Sequence, residues 1–229
     1  MRTLKNFVLD LFFPKNCFGC QKEGTYLCED CISLLDILNS HQAFKTKSLD
    51  DLYFPLSYKD HSSQYEHRLT ERLIKKFKYS PFVKSLSQPL SSLIITHFKL
   101  CEQSIPFIKD KNDFIIISVP LSQKRLRWRG FNQSEEIAKN LSTILEIPFL
   151  KNGLIKNKET SFQSKLSKKE RENNLLNAFS CNKEIRNKKI LLVDDIYTTG
   201  STIEECAKTL KKFGANTIIG ITIARSKAE

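Results

Sequence analysis

The spacing of apolar side chains changes along the chain and predicts alternating helices and strands. Apolar residues recur every three or four positions in four segments, as in helices with one buried face: 65–78, 86–100, 137–144 and 203–213. Continuous apolar runs rich in β-branched residues indicate strands buried on both faces: 114–120, 190–193 and 217–223. Because strand and helix alternate in the later part of the chain, we expect right-handed parallel crossovers and an α/β sheet flanked by helices.

The remaining segments are shorter or less regular. Residues 3–13 predict a short amphipathic helix that ends at Pro14, and residues 52–58 predict a strand. Residues 151–174 are polar, rich in lysine and without periodicity, so we expect a mobile loop there. No run approaches the ~18 apolar residues that cross a bilayer, and the N-terminus has no signal-peptide cleavage pattern. We therefore expect a soluble, cytoplasmic protein with no membrane insertion.

Four cysteines near the N-terminus form two pairs with the same internal spacing: Cys17, Cys20, Cys28 and Cys31. Two intervening residues within each pair let both sulfurs reach one Zn²⁺, and four thiolates complete a tetrahedron. Such a site leaves no position for water, so we expect structural zinc in a small ribbon. Two disulfides are the alternative, which a reducing cytosol disfavours. The two loops are too short to form a core, so we expect the bound metal to supply the energy that folds the ribbon.

A loop rich in hydroxyl groups joins the apolar strand at 190–193 to the following helix. Ligands of open α/β sheets bind at the carboxyl ends of strands, where a helix N-terminus offers N–H groups to an anion. Hydroxyl donors surround one glycine that lets the backbone fold around a phosphate: Thr198, Thr199, Gly200, Ser201 and Thr202. The adjacent Asp194 and Asp195 are suited to sugar hydroxyls or, through water, Mg²⁺. The alternative is a capped helix after two solvated aspartates.

The order of four apolar residues, two acids and a TTGST loop resembles the phosphoribosyl pyrophosphate (PRPP) motif of type I phosphoribosyltransferases. Over nearly its full length the chain also resembles the ComF family of competence-associated proteins. This likeness is carried by the four cysteines, Phe77-Lys78-Tyr79, VPLSQKRLRWRGFNQ at 119–133, Gln163-x-x-Leu166, Arg171-x-x-Asn174 and Ala178-Phe179. The chain departs from the family at Ser80-Pro81, where a glycine is usual.

The resemblance implies a fold and roles for the loop residues. It implies a type I phosphoribosyltransferase fold over residues 41–229, preceded by a helix and a zinc ribbon over 1–40. The family contacts the ribose hydroxyls with its two acids, which carries that catalytic role to Asp194 and Asp195. The resemblance also implies that the loop at 198–202 binds the 5′-phosphate. It further implies that Mg²⁺ binds together with PRPP.

The resemblance also implies two basic elements around the pyrophosphate. Arg125 and Arg129 are the candidates for binding it, because guanidinium groups hold phosphate oxygens bidentately. Arginines that only solvate a turn are the alternative. Residues 151–174 fall where type I enzymes carry a flexible lid, whose Lys165, Lys168 and Arg171 would shield pyrophosphate charge. A basic loop without chemistry is equally compatible with the sequence.

The chain carries 37 basic against 25 acidic residues, and residues 109–189 hold 18 of the basic against 9 of the acidic ones. This excess favours an anionic partner such as single-stranded DNA, although a solvated basic face has the same composition. Three classes of function remain open: a phosphoribosyltransferase, a PRPP-binding regulator without turnover, and a single-strand DNA-binding module. The ComF resemblance implies a setting in DNA uptake during natural transformation, with a helicase-like partner.

Overall fold

The computed structural model describes residues 14–58, 64–79, 82–101, 105, 107, 111–157, 178–181 and 183–226. The strands there are β1 (Asp51–Tyr53), β2 (Leu56–Tyr58), β3 (Phe114–Ser118), β4 (Leu154–Lys156), β5 (Phe179–Cys181), β6 (Lys189–Val193), β7 (Ile196–Tyr197), β8 (Thr217–Ile221) and β9 (Ala224–Ser226). The α-helices are α1 (Glu29–Ser33), α2 (Gln64–Lys78), α3 (Ser87–Leu100), α4 (Gln123–Arg129), α5 (Gln133–Leu145) and α6 (Ser201–Lys212). None of these helices is both long enough and apolar enough to span a bilayer. The helix predicted over 3–13 lies outside the described residues.

The central sheet has four parallel strands in the order β1-β8-β6-β3. Successive residues of β6 point to opposite faces, and both faces are covered. On one face, Leu191 shares a buried cluster with Leu141 of α5. On the other face, Leu192 clusters with Ile203 and Leu210 of α6. The α/β sheet with helices on both faces is therefore confirmed, and it explains why β6 is apolar without alternation.

The predicted strand over 52–58 is in fact two strands that belong to different sheets. β1 pairs with β8 in the central sheet, whereas β2 pairs with β9 in a small parallel sheet of order β2-β9-β7. The break falls at Phe54 and Pro55, because proline lacks the N–H that a continuing ladder needs. The small sheet brings residues after β1 close to the strand that follows Asp195.

The predicted loop over 151–174 is wrong at its beginning. Residues Leu154–Lys156 form β4, which pairs antiparallel with β5, and Leu154 and Phe179 are buried in the cluster on the α6 face. Two short strands with few apolar residues are hard to recognise from periodicity. The part of the proposed lid that carries Lys165, Lys168 and Arg171 lies outside the described residues.

The cysteine ribbon packs on α2 and shares its core. Cys17 and Cys28 are buried in one cluster with Leu69 and Leu73 of α2. Arg72 of α2 also donates a hydrogen bond of 2.7 Å to the carbonyl oxygen of Phe18. Contacts outside the ribbon thus supply the apolar burial that its short loops lack.

Candidate functional site

A pocket of about 130 Å³ opens at the carboxyl ends of β3 and β6, beside the first turn of α6. Its described lining consists of Lys78, residues 119–122, Arg125, Arg129, Gln133, Ser134, Lys156 and residues 194–196 and 198–203. Carboxylates, hydroxyls and cations therefore meet in one polar cavity. Open α/β sheets bind their ligands at the carboxyl ends of neighbouring strands, in the crevice where the strand order reverses.

The two aspartates directly follow β6 and face the pocket. Asp194 Oδ1 accepts hydrogen bonds from Ser134 Oγ at 2.9 Å and from the backbone N–H of Asp195 at 2.8 Å. Burial and the neighbouring Asp195 carboxylate raise the pKa of Asp194 from 3.8 to about 7, against the opposing effects of Lys78 and Ser134. Repulsion between these two adjacent carboxylates favours a cation or hydroxyl donors beside them.

Lys78 supplies the cation closest to these acids, and sequence reasoning gave it no role in the site. Its Nζ lies 3.1 Å from both Oδ1 and Oδ2 of Asp195. Burial by itself lowers the pKa of Lys78, but the Asp195 and Asp194 carboxylates outweigh burial and raise that pKa. The motif Phe77-Lys78-Tyr79 was the available signal. A ligand that uses both oxygens of Asp195 must share this carboxylate with Lys78 or displace it.

The hydroxyl-rich loop turns sharply into α6. Gly200 has φ of +75°, and a Cβ at this position would overlap the Tyr197 ring. Both constraints require glycine. Thr199 Oγ1 and Ser201 Oγ lie 3.0 Å apart at the pocket wall. The loop therefore combines hydroxyl groups with the N-terminus of a 12-residue helix, an arrangement suited to a phosphate.

The basic segment after β3 is the short helix α4, which presents its charges on two faces. Arg125 and Arg129, one helical turn apart, both line the pocket. Lys124, Arg127 and Trp128 are exposed and do not line it. Only two of the four basic residues in this helix thus compete for a ligand in the pocket.

Arg129 is held in place by a hydrogen bond to Gln133. Its exposed fraction is 7%, and its Nη1 donates a 2.7 Å hydrogen bond to Gln133 Oε1, while Gln133 Nε2 donates to the Phe77 carbonyl at 3.0 Å. Burial lowers the pKa of Arg129, with Asp195 opposing this effect. Its Nε is buried and finds no hydrogen-bond partner in the described part of the chain. A buried, incompletely satisfied guanidinium is suited to an anionic ligand.

Hydrogen bonds of Asn132 connect the start of α5 to the residue that follows β3. Asn132 caps this helix by accepting from the Ser134 N–H at 3.2 Å, and its Nδ2 donates to the Val119 carbonyl at 2.9 Å. This clamp fixes Ser134 beside Asp194. Lys156 reaches the pocket from β4, just before residues 158–177. Neither Ser134 nor Lys156 was predicted, because each reaches the pocket only through the tertiary fold.

The four predicted cysteines form one cluster. Their sulfur atoms all lie within 4.8 Å of one another, and Cys20 and Cys28 are 3.5 Å apart at Sγ. A tetrahedral zinc with Zn–S bonds near 2.3 Å needs sulfurs separated by about 3.8 Å, so the cluster fits that ion. Burial alone raises the pKa of Cys17, but backbone N–H groups that include those of Gly19 and Cys28 outweigh it and lower that pKa to about 6. The cluster can hold a structural metal.

Comparisons with known proteins agree with this geometry. Residues 131–229 match the phosphoribosyl transferase domain family. Competence protein F of Haemophilus influenzae is 42% identical over 114 residues, which cover 48% of this chain and 50% of that protein. DNA utilization protein YhgH of Escherichia coli K12 is 39% identical over 100 residues, covering 44% of each chain. Competence protein ComFC of Streptococcus pneumoniae is 32% identical over 118 residues, covering 52% of this chain and 51% of that one.

The chain spans about half the length of the curated relatives it matches. Within that span the matched domain includes β6, both aspartates and the loop that enters α6. The sequence resemblance to the ComF family and the type I phosphoribosyltransferase fold are both confirmed.

Proposed function

We propose that this chain, which resembles the ComF family, binds PRPP together with Mg²⁺ in the pocket between β3 and β6. One observation carries the proposal: two carboxylates, a hydroxyl-rich helix N-terminus and two guanidiniums line the same cavity. PRPP carries a diol, a 5′-phosphate and a pyrophosphate, so it offers a complementary group to each. Asp194 and Asp195 take the ribose hydroxyls, residues 198–202 take the 5′-phosphate, and Arg125 and Arg129 take the pyrophosphate.

Mg²⁺ fits the carboxylate side of the pocket. Hard cations prefer oxygen ligands and keep several waters, and both known contacts of Asp194 fall on Oδ1. Asp194 and Asp195 would hold the ion through water, and the ion would neutralise pyrophosphate charge. Its arrival would lower the pKa of Asp194, because a nearby positive charge favours the ionised carboxyl.

Two forms of this function differ in whether PRPP is consumed. In the transferase form, the bond from C1 of the ribose to pyrophosphate breaks, a bond to a nitrogen nucleophile forms with inversion, and that nitrogen loses a proton. The part of the predicted lid over 151–174 that carries Lys165, Lys168 and Arg171 would close over the site and exclude water. In the regulator form, PRPP binds without turnover. Pyrophosphate release with a panel of nitrogen nucleophiles separates the two forms.

Binding itself is tested by isothermal titration with PRPP and Mg²⁺. Asp195→Ala removes a ligand oxygen, and hydrogen bonds to charged groups contribute about 1.5–3 kcal/mol, so affinity should fall about tenfold or more. Asp113→Ala is the matched control, because Asp113 is an exposed carboxylate that also pairs with a lysine. Equal affinity in the Asp195→Ala variant and the wild type would contradict the proposal.

The names of the relatives support a setting in DNA uptake. We further propose a helicase-like partner and a location in the cytoplasm, where thiolates stay reduced. We propose that the outer face of α4 contacts single-stranded DNA in this setting. Lys124 and Arg127 can neutralise backbone phosphates, and the half-exposed Trp128 meets the Phe82 ring edge-on at 4.9 Å and offers its remaining surface for base stacking.

The salt dependence of oligonucleotide binding tests this face separately from the pocket. Each phosphate contact adds about −0.7 to the slope of log K against log salt. Lys124→Ala with Arg127→Ala should therefore reduce the steepness by up to about 1.4 while PRPP affinity stays unchanged. Lys208→Ala with Lys212→Ala removes two exposed charges from α6 as a matched control. An unchanged slope in the α4 variant would mean that this face is only solvated.

A further inference from the structure

A second pocket, of about 220 Å³, shares no described lining residue with the phosphate-loop pocket. It lies between α3, the small sheet and the segment that follows the ribbon. His97 of α3, Arg225 of β9 and Phe54 contribute to its wall. This volume exceeds what one water fills, since water in the liquid takes about 30 Å³.

The lining residue His97 carries an unused hydrogen-bond acceptor. Its side chain is 1% exposed, and its Nδ1 lies 2.6 Å from the Leu38 carbonyl oxygen. A carbonyl can only accept, so Nδ1 carries the ring proton and Nε2 keeps its lone pair. Burial lowers the pKa of His97, with His41 acting in the same direction, which keeps the ring neutral at pH 7. Nε2 is buried and has no partner among the described residues.

Arg225 presents the complementary group, a charged donor. Its guanidinium carbon lies 3.9 Å from the centre of the Phe44 ring and 5.7 Å from that of Phe54. Its Nε is buried without a hydrogen-bond partner in the described ranges. No carboxylate of those ranges pairs with it within 4.0 Å. The positive charge therefore lies against aromatic rings, with no carboxylate of the described residues paired to it.

Asp51, the acid at the start of β1, is engaged by other groups. Asp51 Oδ2 lies 2.8 Å from His41 Nε2, and Asp51 Oδ1 accepts from the backbone N–H groups of Phe44 and Leu52 at 2.9 and 2.8 Å. His41 is fixed further by stacking on Tyr53 at 3.9 Å. These contacts occupy the Asp51 carboxylate. His97 Nε2 and Arg225 Nε are the lining atoms that are buried without a hydrogen-bond partner in the described part of the chain.

We propose that this second pocket binds a small organic acid that carries a hydroxyl or amino group next to its carboxylate. The carboxylate accepts from Arg225 Nε, and the neighbouring hydroxyl or amino group donates to His97 Nε2. Such a ligand satisfies both buried atoms at once, whereas a simple carboxylate satisfies only Arg225. An unsatisfied buried acceptor is costly, which is the basis for selectivity between the two kinds of acid.

The test compares glycolate with acetate, which differ by the one hydroxyl group. Both are titrated into the full-length wild type while the His97 Nε2 signal is followed by ¹⁵N NMR. Glycolate should shift this signal and bind about tenfold more tightly than acetate. Saturating PRPP should leave glycolate binding unchanged, because the two pockets share no lining residue. Equal binding of the two acids, no shift of the His97 signal, or competition by PRPP would each overturn the proposal.

Two substitutions complete the design. Arg225→Gln should abolish the response to glycolate, while Arg186→Gln, a matched change at an exposed arginine, should keep it. The comparison of two ligands on the wild type needs no variant and stands even where Arg225→Gln does not fold. A full glycolate response in folded Arg225→Gln protein would also overturn the proposal.

Discussion

Replacing Asp194 by asparagine should stabilise the ligand-free protein at high pH. The substitution keeps an oxygen that can accept from Ser134 and from the Asp195 N–H, but it removes a charge next to a second carboxylate. Because the pKa of Asp194 is raised from 3.8 to about 7, the folded state binds its proton more strongly than the unfolded state. The preferential binding of this proton stabilises the folded state. This contribution to the unfolding free energy is fully present below about pH 4 and is lost as the pH rises through about 7.

The size of the effect follows from the same shift. One pKa unit corresponds to about 1.4 kcal/mol, so a rise from 3.8 to about 7 sets an upper limit near 4 kcal/mol. Water screens part of this, because Asp194 is only half-buried. We therefore expect Asp194→Asn to be more stable than the wild type by about 1–3 kcal/mol at pH 8, with the difference shrinking towards zero near pH 4.

Urea unfolding between pH 4 and pH 8, without Mg²⁺ or PRPP, measures this difference. Asp113→Asn serves as the control: that side chain is 65% exposed and pairs with Lys189 at 3.1 Å, so its effect should be small and nearly constant over the range. A destabilising effect of Asp194→Asn at pH 8, or a difference that does not shrink as the pH falls, would refute the burial argument. The same variant should bind PRPP more weakly, which would mean that the pocket sacrifices stability for binding.

Two further predictions concern the metal cluster and the loop. We propose zinc as the ion of the cluster: elemental analysis should find about one zinc per chain, and Cys28→Ser should lose it. Cys181→Ser, outside the cluster, should retain the metal, and full occupancy in Cys28→Ser would contradict four-thiolate binding. Gly200→Ala should lower the unfolding free energy by more than Gly130→Ala, because both positions have positive φ but only the first places Cβ against Tyr197. Equal losses in urea unfolding would show that the Tyr197 contact has no influence.

Local patterns predicted the framework of this fold and the contiguous part of its site. The apolar run of β6 and the residues after it lie on one continuous stretch, so their order alone indicated a ligand loop at a strand end. Lys78 escaped such reasoning because it lies 117 positions from Asp195 in sequence. Helical periodicity shows which side of α2 is apolar, but it cannot tell which charged residue at its end meets a distant strand. For the same reason the sequence did not indicate Ser134, because its contact with Asp194 depends on how α5 packs beside β6.

Charge counting was also unable to separate the anions that the basic segment could bind. Charge alone made Lys124, Arg125, Arg127 and Arg129 equivalent, and only the family resemblance singled out Arg125 and Arg129 for pyrophosphate. The seven-residue helix α4 separates these four residues into two groups. Positions four apart share a helix face, whereas the positions between them point elsewhere. Arg125 and Arg129 line the pocket, and Arg129 is fixed there by Gln133. The two proposed anionic partners would therefore use different faces of α4, so a variant that weakens one interaction should leave the other intact.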